Sequence, residues 1–357
     1  MGIEPVLDGT PVILLTLRDL VHRGVRFVVV SLLGAVVFAL LFVMTGLVEQ
    51  FHREPFDAVS ALGASGWVLP DGVPGPFTAA PSLPAATVDR VTADSKAPVV
   101  SSRSSLGHGG ITEQVVLIGV DMTRLGAPGL VAGRLPATSG EIVVDESTDV
   151  PVGVAVTLAG SPFTVVGHTV DTTVFAGIPF VFVPLGDAQD LVFRSRDVIS
   201  AVLVTGTSAG PAGTTVVTSD AIAADTLKPL EGAIASVDLV RALLWVVAAV
   251  IIGAVVYLSA LERQRDFAVL KAIGAPNRML LASLALQAVL VALVAVALAA
   301  VIQVFLAPAF PLRVRVPARA FWQLPVFAVV MALSAGAAGM RKVARADPAQ
   351  AFAGAGG

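Results

Sequence analysis

The sequence predicts an α-helical membrane protein with four transmembrane helices and one extracytoplasmic α+β domain inserted between the first and second. Three observations carry that expectation. The 357 residues are 55% hydrophobic and only 14% charged, where soluble domains carry about a quarter charged residues. Four runs, Phe27 to Val48, Ala242 to Leu261, Met279 to Leu312 and Ala320 to Met340, contain no Asp, Glu, Lys or Arg and are long enough to cross a bilayer. Between the first two lies one long turn-rich segment, Glu49 to Ala233, with strand-like stretches.

Orientation follows from lysine and arginine, which collect on the cytoplasmic side. The N-terminal segment to Arg26, the loop after the second span and the C-terminal tail together hold ten of them, against nine in the far longer inserted domain. The domain is therefore outside and both termini are cytoplasmic. Arg313, Arg315 and Arg319 in the outer loop between spans three and four run against the rule; they can meet lipid headgroups or the acidic outer domain. That domain has 19 acidic and nine basic residues, a net charge of about -10.

In chain order, residues 1–26 hold an amphipathic pattern. Ile13, Leu14, Leu17, Leu20, Val21 and Val25 share one side of a helix, and Arg18, Asp19, His22, Arg23 and Arg26 the other. Such a helix lies in the membrane interface. The first span, 27–48, is longer than a signal-peptide core and lacks a small-x-small cleavage site, so it reads as a retained anchor. The absence of cysteine excludes disulfides and thiolate chemistry.

In the outer domain, 49–233, Val115 to Asp121, Glu141 to Asp145, Pro179 to Pro184 and Ala201 to Val204 read as strands. Val154 to Leu158 and Phe163 to Val166 read as a hairpin across Ala-Gly-Ser-Pro. Asp187 is the expected N-cap of a short helix. From Gly63 to Gly110 the composition of Pro, Ser, Gly and Ala predicts loops, with a strand only at Trp67 to Leu69. The serines at 101, 102, 104 and 105 lack the nucleophile-elbow motif and read as a flexible loop. Asp145, Glu146 and Asp149 lack calcium-loop spacing, and His108 and His168 lack ligand-spaced partners, so no metal is expected. No catalytic constellation is present, so the chain is not expected to be an enzyme, and nothing in it points to nucleic acid.

Ala221 to Arg241 reads as a helix, bent at Pro229, that runs into the second span, Ala242 to Leu261; stalk and span together take residues 234–261. The third span, 279–307, ends near Pro308; a short loop, 308–320, leads to the fourth, 321–340. Gly253 in span two, and Gly336 and Gly339 in span four, offer close helix packing, within one subunit or between two. The four apolar runs hold no Asp, Glu, Lys or Arg, with Arg241 only at an edge, which argues against proton- or sodium-driven transport. No G-x-x-x-x-G-K-[ST] motif is present, so energy must come from a partner.

The cytoplasmic segment 262–278 opens with Glu-Arg-Gln-Arg-Asp-Phe-Ala-Val-Leu-Lys-Ala-Ile-Gly-Ala, Glu262 to Ala275. Helix formers fill it, and Gly274 followed by Pro276 supplies the stop. Phe267, Leu270 and Ile273 recur at three-residue spacing beside Glu262, Arg263 and Asp266, a mixed face suited to docking into a protein groove. After the last span, the tail 341–357 contains Arg345-Ala-Asp347-Pro348-Ala-Gln-Ala351-Phe352.

These two segments resemble the cytoplasmic loop and C-terminal signature of the MacB/FtsX/LolC class of ABC transporter permeases. The family more often has Glu where Asp266 stands and Leu where Phe352 stands. Stretches between Val115 and Thr205, such as GRLPATSGEIVVDES, are similar to the periplasmic core domain of the same family. The resemblance implies that Glu262, Arg263, Arg265, Asp266, Phe267, Leu270, Lys271, Gly274 and Ala275 couple the chain to a separate cytoplasmic ABC ATPase. Arg345, Asp347 and Pro348 would make a second contact with it. It also implies a second permease copy, in a homodimer or heterodimer, and ATP and Mg bound in the ATPase rather than here. The expected location is a bacterial inner or plasma membrane, in contact with its lipid.

Two functions fit. The first is a permease that converts ATP hydrolysis into motion of the outer domain, mechanotransmission, to export or extract a lipid, lipoprotein, peptide or drug. The second is an FtsX-like signalling scaffold that activates an extracytoplasmic partner protein such as a cell-wall hydrolase. The size of the outer domain favours the first.

Overall fold

The computed structural model describes residues 24–262, 277–310 and 314–344. The chain divides into two compact units, Met1–Glu49 with Ala235–Gly357, and Gln50–Ile234. Both boundaries fall inside helices. Helix α1, Gly24–Ser60, passes the first boundary without a break.

The first unit is helical. The inner part of α1 is joined there by most of helix α5, Glu231–Glu262, with helices α6, Asn277–Leu306, and α7, Ala320–Ala344. Alanines 288, 292, 295 and 299 repeat along one face of α6 and are buried against Phe38, Leu41 and Phe42 of α1 and Leu324 and Ala328 of α7. Small residues let the backbones approach. At Gly34 an added Cβ would lie 3.2 Å from that of Ala295, so α1 and α6 meet closely there. Trp245 of α5 ties the helices further, edge-on to Phe38 at 6.3 Å and to Phe327 at 5.3 Å. The opposite faces expose Val28, Leu32, Leu243, Val250, Val301 and Phe305, the reverse of a soluble bundle and the arrangement a lipid solvent demands. Among the described residues, three helices are long and apolar enough to cross a membrane; the apolar part of α7, Ala320–Ser334, is shorter.

The second unit is built on an eleven-stranded sheet. Its strands are β1 Gly66–Pro70, β3 Ser95–His108, β4 Ile111–Val120, β5 Ala132–Gly133, β6 Glu141–Asp145, β7 Ala155–Leu158, β8 Ser161–Thr169, β9 Thr173–Val174, β10 Ile178–Pro184, β12 Ala201–Thr205 and β13 Thr214–Thr218. They run in the order β13-β1-β12-β3-β4-β10-β6-β8-β5, with β7 joined to β3 and β8, and β9 to β10. A separate ladder joins β2, Leu83–Pro84, to β11, Val198–Ile199. Short helices α2, Thr87–Arg90, α3, Leu185–Val192, and α4, Ser219–Leu227, complete the unit.

Strand β3 is the spine. Residues 95–99 pair with β12 and residues 100–108 with β4, so one strand unites the two halves of the sheet. The sheet is mixed, because β4 and β10, and β6 and β8, run parallel. Both faces are covered at its centre. Val116, Ile118, Phe180 and Phe182 join Trp67, Leu203, Ala58 and Val59 of the last turn of α1, and Leu62 just after it, on one side. Val115, Leu117, Val181 and Val183 join Ala188 of α3 on the other. Burial on both faces explains the unbroken apolar runs of β4 and β10. A Cβ at Gly119 would stand 2.0 Å from that of Ala188, so only glycine lets α3 lie on the sheet.

The strands expected from sequence are present, with three differences. The stretch predicted as loops contains β3, where Ser101 is 4% exposed and donates to the carbonyl of Pro76 at 3.0 Å, so its serines are strand residues. Asp187 does not cap α3: it lies inside the first turn, and its carboxylate accepts from Ser139 Oγ and the Gly140 N–H at 2.6 and 2.9 Å, fixing the turn before β6. Where a bend is expected at Pro229, a 3-10 turn, Lys228–Leu230, separates α4 from α5.

Candidate functional site

The expected ATPase-facing surface begins where α5 ends. Glu262 is the last residue of that helix and Asn277 the first of α6. Arg263, Arg265, Asp266, Phe267, Leu270, Lys271, Gly274 and Ala275 connect them and lie outside the described residues, as do Arg345, Asp347 and Pro348. Gly253 lies in α5, where an added Cβ would meet nothing within 4 Å. Gly336 and Gly339 are in α7, but their surroundings are outside the described residues.

Within the first unit, the outer end of α1 holds the loop that precedes α7. Arg319 forms an ion pair with Glu49, whose side chain is only 11% exposed. One turn earlier, a Cβ at Gly46 would fall 2.7 Å from Val314 Cγ1 and 3.1 Å from the Val316 nitrogen. A glycine and a buried carboxylate thus fix residues 314–319 against the helix. Arg319, which runs against the charge rule, therefore has a protein partner.

Within the second unit, the same helix grips the sheet through Glu54, which is 2% exposed. Its carboxylate accepts from the backbone N–H of Ala176 at 3.1 Å and of Gly177 at 2.6 Å. These residues form the turn between β9 and β10. Phe175, Ala176 and Gly177 all have left-handed backbone, with φ of 53, 65 and 101°. For the first two that conformation costs energy and persists only where surroundings enforce it. Glu54 supplies one enforcement through charge-assisted bonds. Arg103 supplies another, its guanidinium 4.5 Å from the centre of the Phe175 ring. Sequence reasoning missed Glu54, since a single acidic residue just past a span carries no pattern.

Other carboxylates pin loops. Asp225 of α4 accepts from Thr78 Oγ1 and pairs with Lys228 Nζ at 2.9 Å. Asp145 is fully buried and accepts from Ser147 N and from both N and Oγ1 of Thr172, each at 2.9 Å. Glu141 bonds Arg134 and the Ala137 N–H, and the Arg134 guanidinium holds its carboxyl down at about 2. Among the described residues no group of three or more His, Asp or Glu could hold a metal. His168 Nε2 instead meets the Val150 carbonyl at 2.7 Å.

Comparison with known proteins places this arrangement. Residues 239–348 match the FtsX-like permease C-terminal family. Two uncharacterized ABC transporter permeases of Mycobacterium tuberculosis are 38% identical over 346 residues and 36% identical over 345; each alignment covers 95% of this chain and 98% of the relative. The periplasmic region of MacB from Actinobacillus actinomycetemcomitans aligns with 46% of this chain and 95% of its own length, at 14% identity and a TM-score of 0.33. The extracellular domain of the ABC-type transporter YknZ from Gram-positive bacteria aligns with 47% of this chain and 94% of its own, at 15% identity and a TM-score of 0.28. The chain belongs to the FtsX-like ABC transporter permeases. It is thus a membrane protein and the permease subunit of a transporter whose ATPase is a separate cytoplasmic partner.

Proposed function

We propose that this permease works by mechanotransmission. An ATPase dimer closing on the cytoplasmic side pushes the Glu262 to Ala275 segment and the tail around Arg345, Asp347 and Pro348. Two permease copies pass the movement to their outer domains, which export or extract a lipid, lipoprotein, peptide or drug. ATP and Mg act in the ATPase alone. The observation that most supports this reading is the length of α1: one helix, Gly24–Ser60, carries the buried core of the first unit and then, through Glu54, the turn between β9 and β10 of the second. A helix held at both ends conveys displacement that a flexible linker would absorb.

The test is ATP hydrolysis by the partner ATPase co-purified with the permease in lipid nanodiscs, comparing wild type with Phe267→Asp and Leu270→Asp. A carboxylate forced into an apolar docking pocket costs several kcal/mol, so both variants should lose co-purification or permease-dependent hydrolysis while remaining inserted and folded. Unchanged assembly and turnover would remove this segment from the coupling surface.

A further inference from the structure

The sheet of the outer unit ends on β13, Thr214–Thr218, which among the described residues is paired on one side only, with β1. Free edges invite pairing with another chain, and proteins ordinarily blunt them with charge, proline or a bulge. Strand β13 has none of these. Its register with β1 is unbroken, Thr215, Val216 and Thr218 are exposed, and its sequence, Thr-Thr-Val-Val-Thr, is rich in β-formers.

The direction of its free groups follows from the ladder. Asp71 N donates to Gly213 O and Ser219 N donates to Ser65 O, both at 3.1 Å. Alternation of an antiparallel pair then gives Thr215 and Val217 the bonds to β1 and turns the backbone of Thr214, Val216 and Thr218 outward. The Thr214 N–H is satisfied by the Pro211 carbonyl at 3.1 Å. The Val216 N–H and C=O, the Thr218 N–H and the Thr214 C=O are left for a partner. This set is self-complementary about Val216. A second β13 running antiparallel would exchange two bonds between the Val216 residues and one from the N–H of each Thr218 to the C=O of the other copy's Thr214.

Charge narrows the occupant. The outer domain carries 19 acidic and nine basic residues, so two copies repel over most of their surface. The stretch from Thr205 to Ser219, which ends with β13, contains no charged residue. Asp71, beside the strand, already accepts from Thr215 Oγ1 at 2.6 Å.

We infer that β13 is a docking edge for a second copy of this chain, forming an isologous antiparallel β13–β13 pair centred on Val216. This rests on the dimer in the proposed function and assigns the contact within it.

The absence of native cysteine makes the test direct. Full-length Val216→Cys permease, in its own membrane, is oxidised with copper phenanthroline and run on a non-reducing gel, with the subunit count determined separately by single-molecule photobleaching. Paired Val216 residues would have Cα atoms about 5.5 Å apart, within disulfide reach. The expected result is a cross-linked dimer for Val216→Cys and essentially none for Thr215→Cys or Val217→Cys alone. Co-expression of those two variants should restore the cross-link, because each faces the other across the axis. Two subunits per complex with no Val216→Cys cross-link would overturn the edge assignment and leave the dimer standing. One subunit per complex would overturn both.

Discussion

Glu54 is the residue on which the coupling account leans most. It accepts from two backbone N–H groups, of Ala176 and Gly177, in a turn with left-handed backbone at Phe175 and Ala176. Replacing it by Leu removes the acceptor of both donors, whereas Gln keeps one acceptor oxygen. Glu54→Leu should therefore speed amide exchange at Ala176 and Gly177 by at least tenfold, with Glu54→Gln in between; equal exchange in all three proteins would deny the grip. Glu141 gives a pH prediction of known sign. Its folded value, about 2, lies below the ordinary 4.5, so its bonds to Arg134 and Ala137 are intact above 4.5 and are lost as pH falls toward 2. The protection of the Ala137 amide, its exchange corrected for the intrinsic pH dependence, should fall across that window and fall less in Glu141→Gln; a flat protection profile would contradict it. Because the pair is exposed, salt should weaken it. None of these roles was legible in the sequence. Carboxylates pinning turns look the same there as solvated ones, and only the fold brings Glu54 to residue 176.

Among elements, legibility tracked burial. Strands β4, β6 and β10 are buried on both faces, and their continuous apolar runs announced them. Strand β3 did not announce itself: its Ser-rich sequence and Pro98 read as loop, yet pairing with β12 on one side and β4 on the other makes it the spine. Tertiary pairing overrode local propensity. The contact of α3 with β4 predicts that Gly119→Val, which forces atoms into the space of Ala188, destabilises the protein by about 1–3 kcal/mol. A thermal midpoint unchanged from wild type would show that α3 yields freely. At the outer end of α1, a double-mutant cycle on Glu49 and Arg319 should give a favourable coupling of about 1 kcal/mol or more, since Glu49 is 11% exposed. A coupling near zero would place the pair among solvent-screened surface contacts.

At the scale of the whole molecule, the sequence carried the membrane class because lipid imposes length and apolarity on every span. It carried the family because the cytoplasmic segments and the domain core resemble known permeases. It did not reveal that the first helix runs on to Ser60 and enters the outer sheet's core, because His52, Arg53, Glu54 and Asp57 interrupt the apolar pattern there. The proposed transmission along α1 depends on that continuity. The most direct measurement is the distance between spin labels at Val131→Cys, an exposed outer-domain position, on the two permeases of the complete complex in nanodiscs, with and without ATP trapped by vanadate. The account predicts a shift in distance on trapping that is lost in Glu54→Leu while ATP turnover persists. The same distance in every state, with the ATPase active and bound, would contradict it.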